Sequence, residues 1–212
     1  MLETRSLLTL EDVGREYIRE ILDLARAFAE GRVRDALEGK TVCLAFFEAS
    51  TRTAVSFELA ARRSGAHVIS LSEKGSAIAK GESLIDTVVT LDRLGADAIV
   101  LRHQAAGAAA LASRHTSAPV INAGDGCGQH PTQALLDLYA LGEALGGFDG
   151  LRDRRVAVVG DVLHSRVARS VIPGFLQAGM TLRATRLCRM SPTTATRLPA
   201  SSSKPPRALL KE

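Results

Sequence analysis

The sequence predicts an α/β fold: a doubly wound parallel sheet with helices on both faces, followed by the start of a second, incomplete α/β domain. Three observations carry this reading. Short apolar runs of strand length alternate with stretches of helical period between residues 41 and 184. A glycine-rich break, Gly146-Gly147-Phe148-Asp149-Gly150, interrupts the pattern, which then restarts at Arg155. The polar clusters fall just after the apolar runs, where an open parallel sheet places its ligands.

The first element is an amphipathic helix. Thr9-Leu10-Glu11-Asp12 has capping-box form, and Val13, Tyr17, Ile21, Leu24, Ala25 and Phe28 recur at helical spacing until Gly31. Strands are expected over 41–47, 67–71, 98–101 and 120–122, because each is a short apolar run bounded by turn residues. Helices are expected over 53–63, 82–94, about 105–114 and 131–145, the last with Pro131 near its first position. After the glycine break, 155–161 reads as a new buried strand, 165–178 as a helix and 181–184 as one more strand, too little to close a second domain.

Beyond Leu187 the periodicity ends in segments rich in Ser, Thr and Pro that hold four of the chain's seven prolines, and disorder is expected there. Such a composition is also what a GC-rich message yields when read out of frame. A frameshift between about Gly179 and Arg189 is the hypothesis, and an intact reading frame through that region, with no downstream open frame encoding the missing part, would refute it.

Totals narrow the class of protein. The 212 residues are 46% hydrophobic, ordinary for a globular chain with a sizeable core. No run of 18 apolar residues and no basic-then-apolar leader is encoded, so the expectation is a cytoplasmic protein that does not engage a membrane. Cys43, Cys127 and Cys188 are far apart and lack paired ligand spacing, so free thiols and no metal site are expected. The net charge of +4 resides in the tail: seven Lys or Arg against Glu212 alone lie from Thr181 onward, leaving a body of net charge −2. A nucleic-acid partner is therefore not expected.

The most informative stretch is Phe46-Phe47-Glu48-Ala49-Ser50-Thr51-Arg52-Thr53, where a strand ends at hydroxyls and a guanidinium before a helix begins. Unpaired N–H groups of a first helical turn favour an anion there. Each charge-assisted hydrogen bond to a phosphate contributes on the order of 1.5–3 kcal/mol, so several together outweigh the lost hydration. Taken alone, the same residues also fit a Ser/Thr helix cap with a surface arginine. Four further stretches add polar groups: Ser76 to Glu82 with Lys80, which alone reads as a solvated loop; Arg102-His103; Asn122 to Gln133 with His130; and Gly160-Asp161 with Ser165-Arg166. The last lacks Gly-x-Gly-x-x-Gly spacing, which weakens a dinucleotide-binding reading.

Together these stretches resemble the aspartate and ornithine carbamoyltransferase family. Phe47 to Thr53 is similar to its carbamoyl-phosphate signature, and Lys80-Gly81-Glu82-Ser83-Leu84-Ile85-Asp86-Thr87, Arg102-His103, His130-Pro131-Thr132-Gln133 and Ser165-Arg166 match in the same order from about Ser6 to about Gly179. Glu48, where ornithine enzymes usually carry lysine, and Asn122-Ala123-Gly124-Asp125-Gly126 favour the aspartate branch. Ala54 departs from the pattern, standing where many members have an arginine, and nothing in Thr181 to Glu212 matches the family's later segments.

The resemblance implies transfer of the carbamoyl group from carbamoyl phosphate to L-aspartate, an early step of pyrimidine biosynthesis, without a cofactor. It implies that Ser50, Thr51, Arg52 and Thr53 hold the phosphate and that Arg102 bridges phosphate and carbonyl oxygen. Thr53, Arg102 and His130 polarise that carbonyl, Gln133 orients the carbamoyl amide, and Arg166 takes a carboxylate of aspartate. Ser76 and Lys80 reach in from a neighbouring subunit, so a homotrimer with shared sites is implied, with or without regulatory chains. The domains expected are residues 1–147 for carbamoyl phosphate, 148–187 as the start of the aspartate-binding domain, and 188–212 as a tail foreign to the family. Two alternatives stay open: a non-catalytic carbamoyl-phosphate-binding or structural chain, and an ornithine carbamoyltransferase.

Overall fold

Residues 6–72 and 82–186 are described by a computed structural model of the chain. Four parallel strands form its main sheet: β1 (Thr41–Phe46), β2 (His67–Ser72), β3 (Ala98–His103) and β4 (Val120–Asp125), in the order β2-β1-β3-β4. Helices α2 (Thr51–Arg63), α3 (Leu84–Arg93) and α4 (Ala108–Ser113) make the crossovers, and α5 (Pro131–Leu145) leaves β4. The apolar runs of β1 and β3 are buried almost end to end, as strands covered on both faces require.

The period-two alternation of side chains splits the sheet into two cores. Cys43, Ala45, Phe47, Ile99 and Leu101 pack with Val88 and Leu91 of α3 and Ala109 and Ala112 of α4. Val42, Leu44, Phe46 and Val100 face the other way, toward Ala61 and Phe57 of α2. A third core joins α1 (Arg15–Ala29), α5 and α6 (Arg166–Gln177) through Ile18, Leu22, Leu138, Val171 and Phe175. Phe148, which precedes a short 3-10 turn (Asp149–Leu151), and Leu151, its last residue, belong to it as well, so this core runs straight through the glycine break.

A two-stranded parallel sheet follows, β5 (Arg155–Gly160) with β6 (Thr181–Arg186). Here a sequence expectation is corrected. The run Val156-Ala157-Val158-Val159 reads as a buried strand, yet β5 alternates between exposed and half-exposed residues and Val159 is 59% accessible. Val156 and Val158 pack against the third core, while nothing among the described residues covers the opposite face.

Four boundaries also shift. Thr9 Oγ1 accepts from the N–H groups of Glu11 (3.0 Å) and Asp12 (3.2 Å), but this local turn does not start the helix, which begins at Arg15 after Gly14. Competition from the sheet explains it: Leu7 donates to Val120 O and accepts from Asn122 N, holding the preceding chain along β4. α2 begins at Thr51 rather than Thr53, and β3 continues through Arg102 and His103 instead of ending before them. β4 likewise runs on to Asp125, with a register shift between Leu101 and His103. The expectations for Ser76, Lys80 and the tail from residue 188 fall outside the described residues.

Candidate functional site

β1 hands the chain through Phe47, Glu48 and Ala49 to the N-terminus of α2, where Ser50 is the cap residue. Its side chain does not cap the helix; the hydroxyl instead donates to Thr53 Oγ1 at 2.9 Å. The N–H groups of the first turn therefore remain available to an anion, and the helix dipole favours one there. Ser50, Arg52 and Thr53 line one side of a cavity of about 870 Å³. Arg102, His130, Gln133 and Arg166 are also among its lining residues, with Thr132, Leu136 and Asp137. Thr51, although in the same turn, is exposed and not part of the lining.

Arg102 reaches the cavity because it sits on β3 opposite the irregular stretch of β4. Gly124 there has φ +113°, and a Cβ on it would lie 2.8 Å from Arg102 Nη1 and 3.2 Å from His130 Cδ2. Only glycine leaves room for both side chains. The Arg102 guanidinium is buried; Nη1 donates to Ala123 O (3.0 Å) and Nη2 to Glu48 Oε1 (2.8 Å), while Nε has no partner. Burial and the nearby Arg166 both lower its pKa from the usual value.

Glu48 ties the site together across long sequence distances. Arg166, the first residue of α6, grips it bidentately, Nη1 to Oε2 and Nη2 to Oε1, both at 2.7 Å. The Glu48 carboxyl is held below its usual range by the hydrogen bond from Arg166, against a desolvation cost and with help from Arg102. In the sequence Glu48 stands out only as a branch marker. Its bridging role depends on folding that closes a gap of 118 residues, and no local pattern reports it.

His130 caps α5 from within the protein and is 7% accessible. Its backbone N–H donates to Ser170 Oγ (2.7 Å), which in turn donates to Gln129 Oε1 (2.6 Å). Those supporting residues had no signature in the sequence. Burial first, then Arg102 and Arg166, lower the imidazole pKa to about 4, so the ring is neutral near pH 7 and can donate one N–H without carrying charge. One turn on, Gln133 Nε2 donates to Asp137 Oδ1 (2.9 Å).

Chemically, the cavity offers guanidinium groups, hydroxyls and helix N–H donors for an anion, beside a neutral imidazole and a carboxamide suited to a carbonyl compound. No group of three or more His, Cys, Asp or Glu that could hold a metal is present among the described residues. No described helix is long and apolar enough to cross a membrane.

Residues 5–143 match the family model for the aspartate/ornithine carbamoyltransferase carbamoyl-P binding domain, and the chain belongs to that family. Within it, the similarity is to aspartate carbamoyltransferases. The catalytic subunit from Rubrobacter xylanophilus is 72% identical over 178 residues, 84% of this chain and 58% of that relative. The Moorella thermoacetica catalytic subunit is 48% identical, over 86% of this chain and 60% of its own length. Among solved structures, the catalytic subunit of M. jannaschii aspartate transcarbamoylase superimposes with a TM-score of 0.76 at 42% identity, covering 86% of this chain and 60% of that one. The Trypanosoma cruzi enzyme in complex with carbamoyl phosphate and aspartate gives 0.77 at 29% identity, covering 87% and 68%. The chain thus spans about three-fifths of the length of the curated relatives it matches.

Proposed function

We propose that this chain carries the carbamoyl-phosphate half-site of an aspartate carbamoyltransferase, and that the protein it represents transfers the carbamoyl group to the amine of L-aspartate, yielding N-carbamoyl-L-aspartate and phosphate. The observation that carries the reading is the convergence of Arg52, Arg102, the open first turn of α2 and a neutral His130 on one cavity. Ser50, Arg52 and Thr53 hold the phosphate with their side chains, and Thr51, whose side chain is outside the cavity lining, contributes through its backbone N–H. Arg102 bridges phosphate and carbonyl oxygen, and Thr53 and His130 join it in stabilising the oxyanion as the amine attacks. The amine N–C bond forms, the C–O bond to phosphate breaks, and the departing phosphate takes up the amine proton. Carbamoyl phosphate is already activated, so positioning and charge neutralisation suffice and no nucleophilic side chain is required.

Arg166 takes an aspartate carboxylate in this scheme, which requires Glu48 to share or release it. Ser76 and Lys80 complete the site from a neighbouring subunit of a cytoplasmic homotrimer, with or without regulatory chains. Residues 1–147 and 148–187 correspond to the carbamoyl-phosphate domain and the start of the aspartate domain. A radiolabel assay tests the reading: carbamoyl phosphate and aspartate are expected to give labelled N-carbamoylaspartate. Product from ornithine instead would move the protein to the other branch. Saturable carbamoyl-phosphate binding without turnover would leave a binding chain of the same family.

A further inference from the structure

Asp137 lines the cavity yet has no role in the chemistry described so far. It stands four residues after Gln133 on α5, a spacing that stacks the two side chains on one helical face. Its carboxylate accepts the Gln133 Nε2–H at 2.9 Å. Burial pushes the Asp137 carboxyl up from its usual range, while the hydrogen bond from Gln133 acts in the opposite direction.

The consequence lies in the polarity of Gln133. A carboxamide has a donor end and an acceptor end, and either can face a ligand. An ionised carboxylate only accepts, so it selects the donor end. One of the two Nε2–H groups is given to Asp137, which leaves Oε1 available as the acceptor for a ligand.

We propose that Asp137 is a positioning residue that fixes Gln133 with its oxygen toward the ligand and thereby makes the site select an acyl phosphate bearing an N–H group over one bearing a methyl. The proposal rests on the carbamoyl-phosphate reading above. Carbamoyl phosphate and acetyl phosphate have the same charge and nearly the same shape, and differ where NH₂ is replaced by CH₃. Oε1 accepts a hydrogen bond from the first and meets only a methyl in the second. A site that hydrogen-bonds a ligand group rejects analogues lacking it, because its own polar atom is left unpaired.

The test is calorimetric titration of the full chain with carbamoyl phosphate, acetyl phosphate and inorganic phosphate. The wild type is expected to prefer carbamoyl over acetyl phosphate by about tenfold. In Asp137→Leu, and in Asp137→Ala should the leucine variant not fold, that preference falls to about twofold or less while inorganic phosphate binds as before. Asp137→Asn, which keeps an acceptor oxygen, restores part of the preference. An unchanged ratio in the leucine or alanine variant overturns the proposal, as does an equal loss for all three ligands, which marks a merely structural residue. A wild-type chain that binds none of the three instead refutes the phosphate-site reading itself.

Discussion

Acidification should cost this protein stability through His130 in a defined window. The imidazole pKa falls from 6.5 to about 4 on folding, because the ring is buried beside Arg102 and Arg166. A depressed folded pKa means that the unfolded chain takes up the proton first as pH falls. The two states do not differ at His130 above about pH 7, and the native state loses ground from about pH 6.5 down to about pH 4. At about 1.36 kcal/mol per unit, the full shift amounts to about 3 kcal/mol, a large share of the ~5–15 kcal/mol that holds a domain together. Urea unfolding of wild type and His130→Gln from pH 7.5 to pH 4 isolates the contribution, since the other titrating groups are common to both. The stability difference is expected to move by about 3 kcal/mol in favour of the variant as pH falls. A difference that stays constant, or an NMR titration of the ring near pH 6.5, would refute the reasoning.

Two other predictions follow from the site's geometry. Glu48→Gln removes a negative charge shared by Arg102 and Arg166. At an effective dielectric near 20 this is worth roughly 1–2 kcal/mol to an anion nearby, so inorganic phosphate should bind about tenfold tighter at low salt, with the gain shrinking at high salt. The same variant should lose stability at neutral pH. The wild-type pair contributes above the ordinary carboxylate range and fades as pH drops through Glu48's lowered pKa. Gly124→Ala places a Cβ 2.8 Å from Arg102 Nη1 at a positive φ, and should cost about 1–3 kcal/mol in thermal or urea unfolding and weaken phosphate binding as Arg102 is displaced.

Where the fold was legible, the reason is local. The apolar runs of β1 and β3 are covered on both faces and are almost pure core, so periodicity alone located them. The end of β4 was missed because Ala123, Gly124 and Asp125 are poor strand formers, kept in the ladder by His103 and by the space that Arg102 needs. The turn at Thr9 has the chemistry of a helix cap but lies where Leu7 is already bonded to β4, so tertiary pairing delays the helix to Arg15. Composition marks β5 as buried but cannot report whether anything lies on its outer face.

The candidate site divides the same way. Ser50 to Thr53, Arg102, His130 and Gln133 sit at strand ends and helix starts, positions that chain order alone marks as facing a common crevice. Glu48 bridging Arg102 and Arg166, and Ser170 holding the backbone of His130, depend on partners 40 to 118 residues away and leave no trace in local pattern.

Carbamoyl phosphate titrated into the wild-type chain and into Arg52→Ala probes the anion site most directly. Arg52 is exposed at the cavity wall, so its truncation leaves the core intact. Saturable binding to a single site, competed by inorganic phosphate and weakened at least tenfold by the substitution, is the expected result. A folded chain that shows no saturable binding, or binding indifferent to Arg52, would contradict the assignment.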